Sequence, residues 1–170
     1  MRSIAAYRIL FLLAAAVLIL DQLTKLWIHQ NLEYPTFYEP DAIVVVPGFF
    51  NIVYVGNTGA AWSLFSGNSS LLALVGIFAL CMLFAFRKAL HLHLTKVQIA
   101  FGLIIGGIIG NLIDRLHLKY VIDFLDFKFG SYHFPSFNVA DSGITVGVTL
   151  YILFSFFSRE LKEAEQNKSR

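Results

Sequence analysis

The stretch VQIAFGLIIGGIIGNLIDR, residues 97–115, is an apolar run that ends in amide and charged side chains. Its length lies within the roughly 17–25 residues that an α-helix needs to cross a bilayer. Gly102, Gly106 and Gly110 recur at a four-residue spacing, which places them on one helix face. Because small residues at this spacing let helix backbones approach closely in lipid, the stretch predicts a tightly packed transmembrane helix.

The rest of the chain is also typical of a membrane protein. Of its 170 residues, 57% are hydrophobic and 14% are charged, and the mean hydropathy is +0.68. A soluble domain is far less apolar than this. Four apolar stretches are each long enough to cross a bilayer once their flanks are counted. We therefore predict one domain, residues 1–170, with transmembrane helices at about 9–28, 69–86, 97–115 and 139–157.

The last predicted helix repeats the glycine spacing at Gly143 and Gly147, so we expect the third and fourth helices to pack closely. The first apolar segment follows Arg2 and Arg8 and has the outline of a cleaved signal peptide. However, no small-residue cleavage site follows, and the helical pattern continues to Trp27. We therefore expect this segment to be a retained helix.

Lysine and arginine predict the orientation, because cytoplasmic flanks carry an excess of them. They are frequent at the N-terminus, between the second and third helices, and in the C-terminal tail. Residues 29–68 contain none, and residues 116–138 contain only Lys119 and Lys128. Both termini are therefore predicted to be cytoplasmic, and the two basic-poor segments are predicted to lie outside.

The first outer segment, residues 29–68, is rich in β-forming residues. Ile43–Val46, a turn at Pro47 and Gly48, and then Phe49–Val55 predict a small hairpin-like sheet. Open strand edges cannot lie in hydrocarbon, so we expect this sheet on the outer membrane surface.

Ionisable and amide side chains gather at one depth of the predicted bundle. Asp21, Asp114 and Asp141 fall at the outer ends of helices, while Asn57 and Asp123 lie in the outer segments close by. Polar groups at the edge of a membrane span are costly, and they commonly mark function. The convergence therefore predicts a functional site on the outer side.

Several of these groups have a structural interpretation. Asp21 and Lys25 are four residues apart on one helix face, which favours an ion pair. Asp114 is expected to hold the fold together. Asp126 lies in an outer segment and is expected to be solvated.

The sequence lends little support to a catalytic cysteine, a serine nucleophile, a metal site or nucleic-acid binding. Cys81 has only apolar neighbours, so we expect it to pack in the core without a disulfide. Ser142 lacks an evident base on its helix face. The five histidines show no metal-binding spacing, and the net charge of +2 does not indicate a nucleic-acid partner. We expect neither a metal nor another cofactor.

Asp123 and Asp141 occupy contrasting environments. Asp123 has apolar neighbours, which favour a protonated carboxyl group, whereas Asp141 begins a helix, where the helix dipole favours a negative charge. Two such carboxylates can divide the roles of acid and base around a water molecule, as in an aspartic peptidase. The alternative that both residues merely cap helices is left open by their spacing.

Five motifs, in order from residue 21 to about 147, resemble those of the lipoprotein signal peptidases (signal peptidase II). They are DQLTK, NTGAAW, GGIIGNLIDR, VIDF and FNVADSGITVG. The resemblance implies an all-α bacterial inner-membrane protein, a four-helix bundle with a small periplasmic β-cradle. It also implies an aspartic endopeptidase that removes the signal peptide of prolipoproteins just before a diacylglyceryl-modified cysteine.

The resemblance also implies roles for individual residues. The aspartates of VIDF and FNVAD, Asp123 and Asp141, would be catalytic. Asp21, Lys25 and Asp114 would support the architecture. Residues expected to bind substrate or line the site are Asn57, Gly59, Asn111, Arg115, Asn138 and Ala140.

Further expectations concern binding partners, the oligomeric state and alternative functions. Globomycin-type inhibitors and membrane phospholipid are expected partners, and the protein is expected to be a monomer with its active site at the periplasmic side. Trp62 and Phe65 are expected to clamp the substrate from above. Gly143 stands where many family members carry alanine, which affects local packing only. The rival hypotheses are a small intramembrane proton or ion translocator and a structural protein.

Overall fold

The computed structural model describes residues 4–37, 41–59 and 65–157. Trp62, one half of the expected clamp, lies outside these residues, whereas Phe65 is described and exposed. A short 3-10 helix, Ile4–Tyr7, leads into the main elements. They are α1 (Arg8–Asn31), β1 (Ile43–Val46), β2 (Phe50–Asn57), α2 (Ser69–Ala85), α3 (Thr95–His117), β3 (Val121–Phe129), β4 (Tyr132–His133) and α4 (Val139–Phe157).

Three of the described helices, α1, α3 and α4, are long and apolar enough to cross a membrane. Helix α2 is apolar but shorter, at 17 residues. It buries only Ser69 and Ala73, because it lies at the side of the bundle. Cys81 is consequently exposed, and the prediction that it packs in the core is wrong. An apolar residue on such a helix faces the lipid rather than the protein interior.

The sheet is larger than the predicted hairpin. Strands β1 and β2 confirm that hairpin, but they belong to a four-stranded antiparallel sheet of order β1-β2-β3-β4. The nine residues of β3 fall where the sequence predicted only an outer loop. The expected fold class, all-α with a small β-cradle, therefore understates the β structure.

Helix α3 packs against two helices through its glycines. A Cβ atom at Gly106 would lie 2.6 Å from the carbonyl oxygen of Ala14 in α1, and one at Gly147 of α4 would lie 2.6 Å from that of Ala100 in α3. These distances confirm the close α3–α4 packing, and they show that α1 approaches α3 just as closely. The three backbones can meet this way only without intervening side chains.

Two apolar clusters stabilise the opposite ends of the molecule. One joins the N-terminal parts of α1 and α3, and the turn before α3, through Leu10, Leu92, Val97, Phe101 and Ile104. The other docks the sheet on the C-terminal end of α1 through Ile28, Leu32, Tyr54, Ile122 and Phe124. The sheet is thereby held beside the C-terminal end of α3 and the N-terminal end of α4, where the polar residues gather.

The glycine contacts predict an effect on stability. Replacing Gly147 by Ala would force a methyl group against the Ala100 carbonyl, so we expect the free energy of unfolding to fall by about 1–3 kcal/mol. Gly76→Ala is the matched control, because its Cβ would meet the side chain of Ile108 at an ordinary 3.6 Å. Thermal unfolding in detergent measures both variants. Equal melting temperatures for both would contradict the packing account.

Candidate active site

The foundation of the site is a buried ion-pair cluster between α1 and α3. The Lys25 ammonium lies 2.8 Å from Asp21 Oδ2 and 2.8 Å from Asp114 Oδ2. All three side chains are buried. Asp114 also accepts a hydrogen bond from the backbone N–H of Ile122, at 3.2 Å, which anchors the start of β3 to α3. The predicted ion pair is confirmed, and Asp114 has the predicted structural contacts.

Hydrogen bonds extend from this cluster to Asp141. Lys25 Nζ donates to Asn111 Oδ1 at 3.0 Å, and Asn111 Nδ2 donates to Asp141 Oδ1 at 2.8 Å. Because the ammonium can only donate, it fixes which end of the Asn111 amide faces the carboxylate. The ion-pair cluster therefore orients a donor toward Asp141.

Asn138 explains how Asp141 is placed at the start of α4. Asn138 Oδ1 accepts a hydrogen bond from the Asp141 N–H at 2.9 Å, and Asp141 Oδ2 accepts one from the Asn138 N–H at 3.2 Å. This reciprocal pair is a capping box, which satisfies backbone donors that the first helical turn leaves unpaired. The sequence FNVAD thus fixes both the helix start and the carboxylate.

The same asparagine reaches Asp123 on β3. Asn138 Nδ2 donates to Asp123 Oδ1 at 2.7 Å, and Asn57 Nδ2 donates to Asp123 Oδ2 at 2.9 Å. Asp123 is only 2% exposed. Burial raises the pKa of Asp123 to about 7, and the neighbouring Asp141 carboxylate acts in the same direction. The site therefore joins two carboxyl groups through one amide side chain.

Both aspartates face a cleft of about 1010 Å³. Asn57 and Arg115 line the cleft beside them, and Ile144 and Val146 of α4 give one end an apolar wall. Arg115 Nη2 donates to the carbonyl oxygen of Gly59 at 3.0 Å. Within the described part of the chain, the buried Arg115 Nε has no hydrogen-bond partner.

The residues predicted to bind substrate fall into two groups, one at the cleft and one buried behind it. Asn57 and Arg115 line the cleft, and Gly59 contacts both of them. Asn111 and Asn138 are buried behind the two aspartates, where they orient the carboxylates. Ala140 is likewise fully buried, and its N–H donates to Asp21 Oδ1 at 2.9 Å.

The structural role of Gln22 was not predicted from the sequence. Gln22 bridges the ion-pair cluster, since its Nε2 donates to Asp21 Oδ2 at 3.1 Å and to Asp114 Oδ1 at 3.2 Å. A residue adjacent to Asp21 on a helix gave no signal of this contact.

Asp126 was expected to be solvated. It is only 6% exposed, so that expectation is wrong. It lies on β3, where the side chains of Asn51 and Ser136 donate hydrogen bonds to its carboxylate.

The fold and the site together define the class: a membrane protein with paired buried carboxyl groups in a cleft beside the C-terminal end of α3 and the N-terminal end of α4. A family model for signal peptidase (SPase) II matches residues 13–157. The chain therefore belongs to the signal peptidase II family, as the five motifs indicated.

Individual relatives agree with this assignment. The chain is 39% identical to a lipoprotein signal peptidase of Shewanella sp. (strain MR-4) over 157 residues, covering 90% of this chain and 87% of the relative. It is 40% identical to the lipoprotein signal peptidase of Lactobacillus johnsonii over 156 residues, covering 92% and 95%. Each similarity extends over nearly the whole of both chains.

Solved structures agree as well. Two bacterial membrane enzymes determined by the in meso method align with TM-scores of 0.76 and 0.74, at 34% and 35% identity. Each alignment covers 88% of this chain, together with 90% and 93% of the respective enzymes. The fold is therefore that of a membrane-embedded enzyme.

The ion-pair cluster predicts a second effect on stability. Lys25→Met would leave the buried Asp21 and Asp114 without their cation, so we expect a loss of about 3–5 kcal/mol. The matched control, Lys119→Met, alters an exposed lysine whose ammonium donates a hydrogen bond to the Leu116 carbonyl oxygen. Folded yield and unfolding in detergent measure the effect. A Lys25 variant as stable as the control would show that the ion-pair cluster does not stabilise the fold around the site.

Proposed function

We propose that this protein is a membrane-embedded aspartic endopeptidase that removes the signal peptide of diacylglyceryl-modified prolipoproteins, cutting just before the modified cysteine. Membership of the lipoprotein signal peptidase family supports a peptidase that acts on lipoprotein signal peptides. The observation that carries the aspartic mechanism is the pairing of Asp123 and Asp141 through Asn138 at one cleft.

The two carboxyl groups have different roles in this proposal. Asp141 is the base: it lies in the first turn of α4, where the helix dipole and the Asn111 and Asn138 N–H donors favour a negative charge. Asp123 is the acid, because its pKa of about 7 leaves it protonated in a large fraction of molecules near neutral pH.

The proposed reaction proceeds through a tetrahedral intermediate. Asp141 removes a proton from water as the water oxygen attacks the scissile carbonyl carbon, and Asp123 donates its proton to the carbonyl oxygen. The carbon–nitrogen bond then breaks. Asp141 passes its acquired proton to the leaving amine, while Asp123 recovers a proton from the intermediate. Both carboxyl groups return to their starting states.

Arg115 and Asn57 are proposed to bind the peptide near the reacting bond. Both line the cleft, where their amide and guanidinium groups can donate hydrogen bonds to a peptide carbonyl oxygen. Globomycin-type inhibitors are proposed to compete for the same cleft, and membrane phospholipid to surround the monomer.

The proposed orientation follows from the basic residues. With Lys and Arg concentrated in the flanks opposite the site, both termini are cytoplasmic and the cleft is at the periplasmic side of the bacterial inner membrane. Helix α2 is proposed as a fourth span completed by its flanks. The rival proton translocator is disfavoured, because the apolar cluster of Leu10, Val97 and Phe101 fills the inner part of the described bundle.

The dyad assignment predicts the behaviour of two variants. Asp123→Asn and Asp141→Asn, purified separately, should each cleave a lipid-modified precursor at least 1,000-fold more slowly than wild type, as is typical when a member of a catalytic unit is removed. Both should keep the wild-type melting temperature within a few degrees. Near-normal turnover by either folded variant would overturn the assignment. Asp114→Asn should instead lose folded yield.

The pKa of Asp123 predicts the pH profile of cleavage. Because the acid must be protonated in the free enzyme, kcat/KM should fall about tenfold per pH unit once the pH exceeds roughly 7–8. Below about pH 6 this group is almost fully protonated and does not limit the rate. A profile measured with a fixed ratio of precursor to detergent tests this expectation. A rate that stays constant or rises up to pH 9 would contradict the acid role of Asp123.

A further inference from the structure

Asp126 is a buried carboxylate that the proposed reaction does not use. It lies three residues beyond Asp123 on β3, and side chains alternate between the two faces of a strand. The two carboxyl groups therefore point to opposite faces of the sheet, at sites roughly 10 Å apart along the strand. A buried carboxylate requires compensation from nearby donors, so its partners are informative.

The partners of Asp126 come from both sides of β3. Asn51 of β2, directly opposite in the sheet, donates from Nδ2 to Asp126 Oδ2 at 3.3 Å. Ser136 Oγ donates to Asp126 Oδ1 at 3.4 Å, and His133 Nδ1 lies 4.0 Å from the same oxygen. The carboxylate therefore ties β2 to the returning segment, residues 133–137.

The returning segment forms one wall of the cleft: all five of its residues line it. Backbone hydrogen bonds hold the wall near its two ends, where the N–H of Phe134 donates to Phe127 and that of Phe137 donates to Leu125. Pro135, between them, has no N–H to donate. The Ser136 side chain thus supplies the contact to Asp126 in the middle of the wall.

The direction of the cleft indicates which part of a precursor meets this wall. Ile144 and Val146 lie one turn further into α4 than Asp141, so they line the end of the cleft that is nearer the membrane interior. The apolar signal segment fits that end. A precursor bound in this direction would place the chain that follows the scissile bond along residues 133–137.

We propose that Asp126 is a positioning residue. By holding Ser136 and His133 it fixes the wall at residues 133–137, and it thereby sets how tightly the enzyme binds the precursor segment that follows the modified cysteine. The identity of the substrate rests on the proposed function above. The chemical step does not depend on Asp126, because Asp123 and Asp141 are held separately by Asn57, Asn111 and Asn138.

Two precursors and two variants test this role. One lipid-modified precursor retains about ten residues after the modified cysteine, and the other ends at that cysteine as an amide. Asp126→Asn and Ser136→Ala should each raise KM for the long precursor about three- to tenfold, the effect expected for losing one hydrogen bond. Turnover number should stay within twofold. For the short precursor, KM should equal that of wild type.

Ser131→Ala, in the exposed turn between β3 and β4, is the matched control and should change neither KM value. Unchanged KM for the long precursor in both variants would overturn the proposal. So would an equal rise for both precursors, or a fall in turnover number with KM unchanged. Should Asp126→Asn not fold, Ser136→Ala alone carries the test. Failure of the proposed function would look different: wild-type enzyme would cleave neither precursor.

Discussion

The site depends on one buried ammonium group. Lys25 forms ion pairs with both Asp21 and Asp114 across α1 and α3, and it also orients the Asn111 amide toward Asp141. Two carboxylates that share one cation are costly in an apolar bundle, so the cluster is stable only with its additional hydrogen bonds intact. Gln22, Ile122 and Ala140 supply those bonds. The carboxyl groups of the ion-pair cluster and the two that are proposed to react thereby belong to one connected network.

A second constraint comes from the backbone of the outer segments. The chain must leave α3, satisfy its peptide groups near the membrane surface, and return to begin α4. Strand β3 meets this requirement by pairing with β2 on one side and with Phe137 on the other. The capping box then starts α4 at the same place. Hydrogen bonds thus fix both ends of the segment between α3 and α4. Asp123 and Asp141 consequently face the same cleft.

Much of this arrangement was predictable from local patterns. The four-residue spacings of Asp21 with Lys25 and of the α3 glycines follow from helical periodicity, and the β1–β2 hairpin follows from its turn residues. Strand β3 was not predictable in the same way. Apolar and acidic residues occupy both of its faces, since one face packs on Ile28 and Tyr54 while the other faces the cleft. The usual alternation of a half-buried strand is therefore missing.

Cys81 and Asp126 show a related limit of prediction from local sequence patterns. Helix α2 is apolar on every side, so its sequence cannot distinguish a lipid-facing position from a packed one. Asp126 looks solvated only because its partners Asn51 and Ser136 are distant in sequence. Both errors concern tertiary contacts that no local pattern encodes. The convergence of Asp123 and Asp141 was predictable, because Asp141 begins a helix and Asp123 lies in a segment close to the helix ends.

In the proposed reaction, two aspartates activate water without forming a covalent bond to the substrate. A single turnover in H₂¹⁸O, with enzyme in excess over a lipid-modified precursor, distinguishes this route from covalent catalysis by mass spectrometry of the released signal peptide. Attack by water places one ¹⁸O atom in each new terminal carboxyl group and none in Asp123 or Asp141. An unlabelled first product, with ¹⁸O in either aspartate, would show that a carboxylate attacked the peptide and would overturn the proposed role of water.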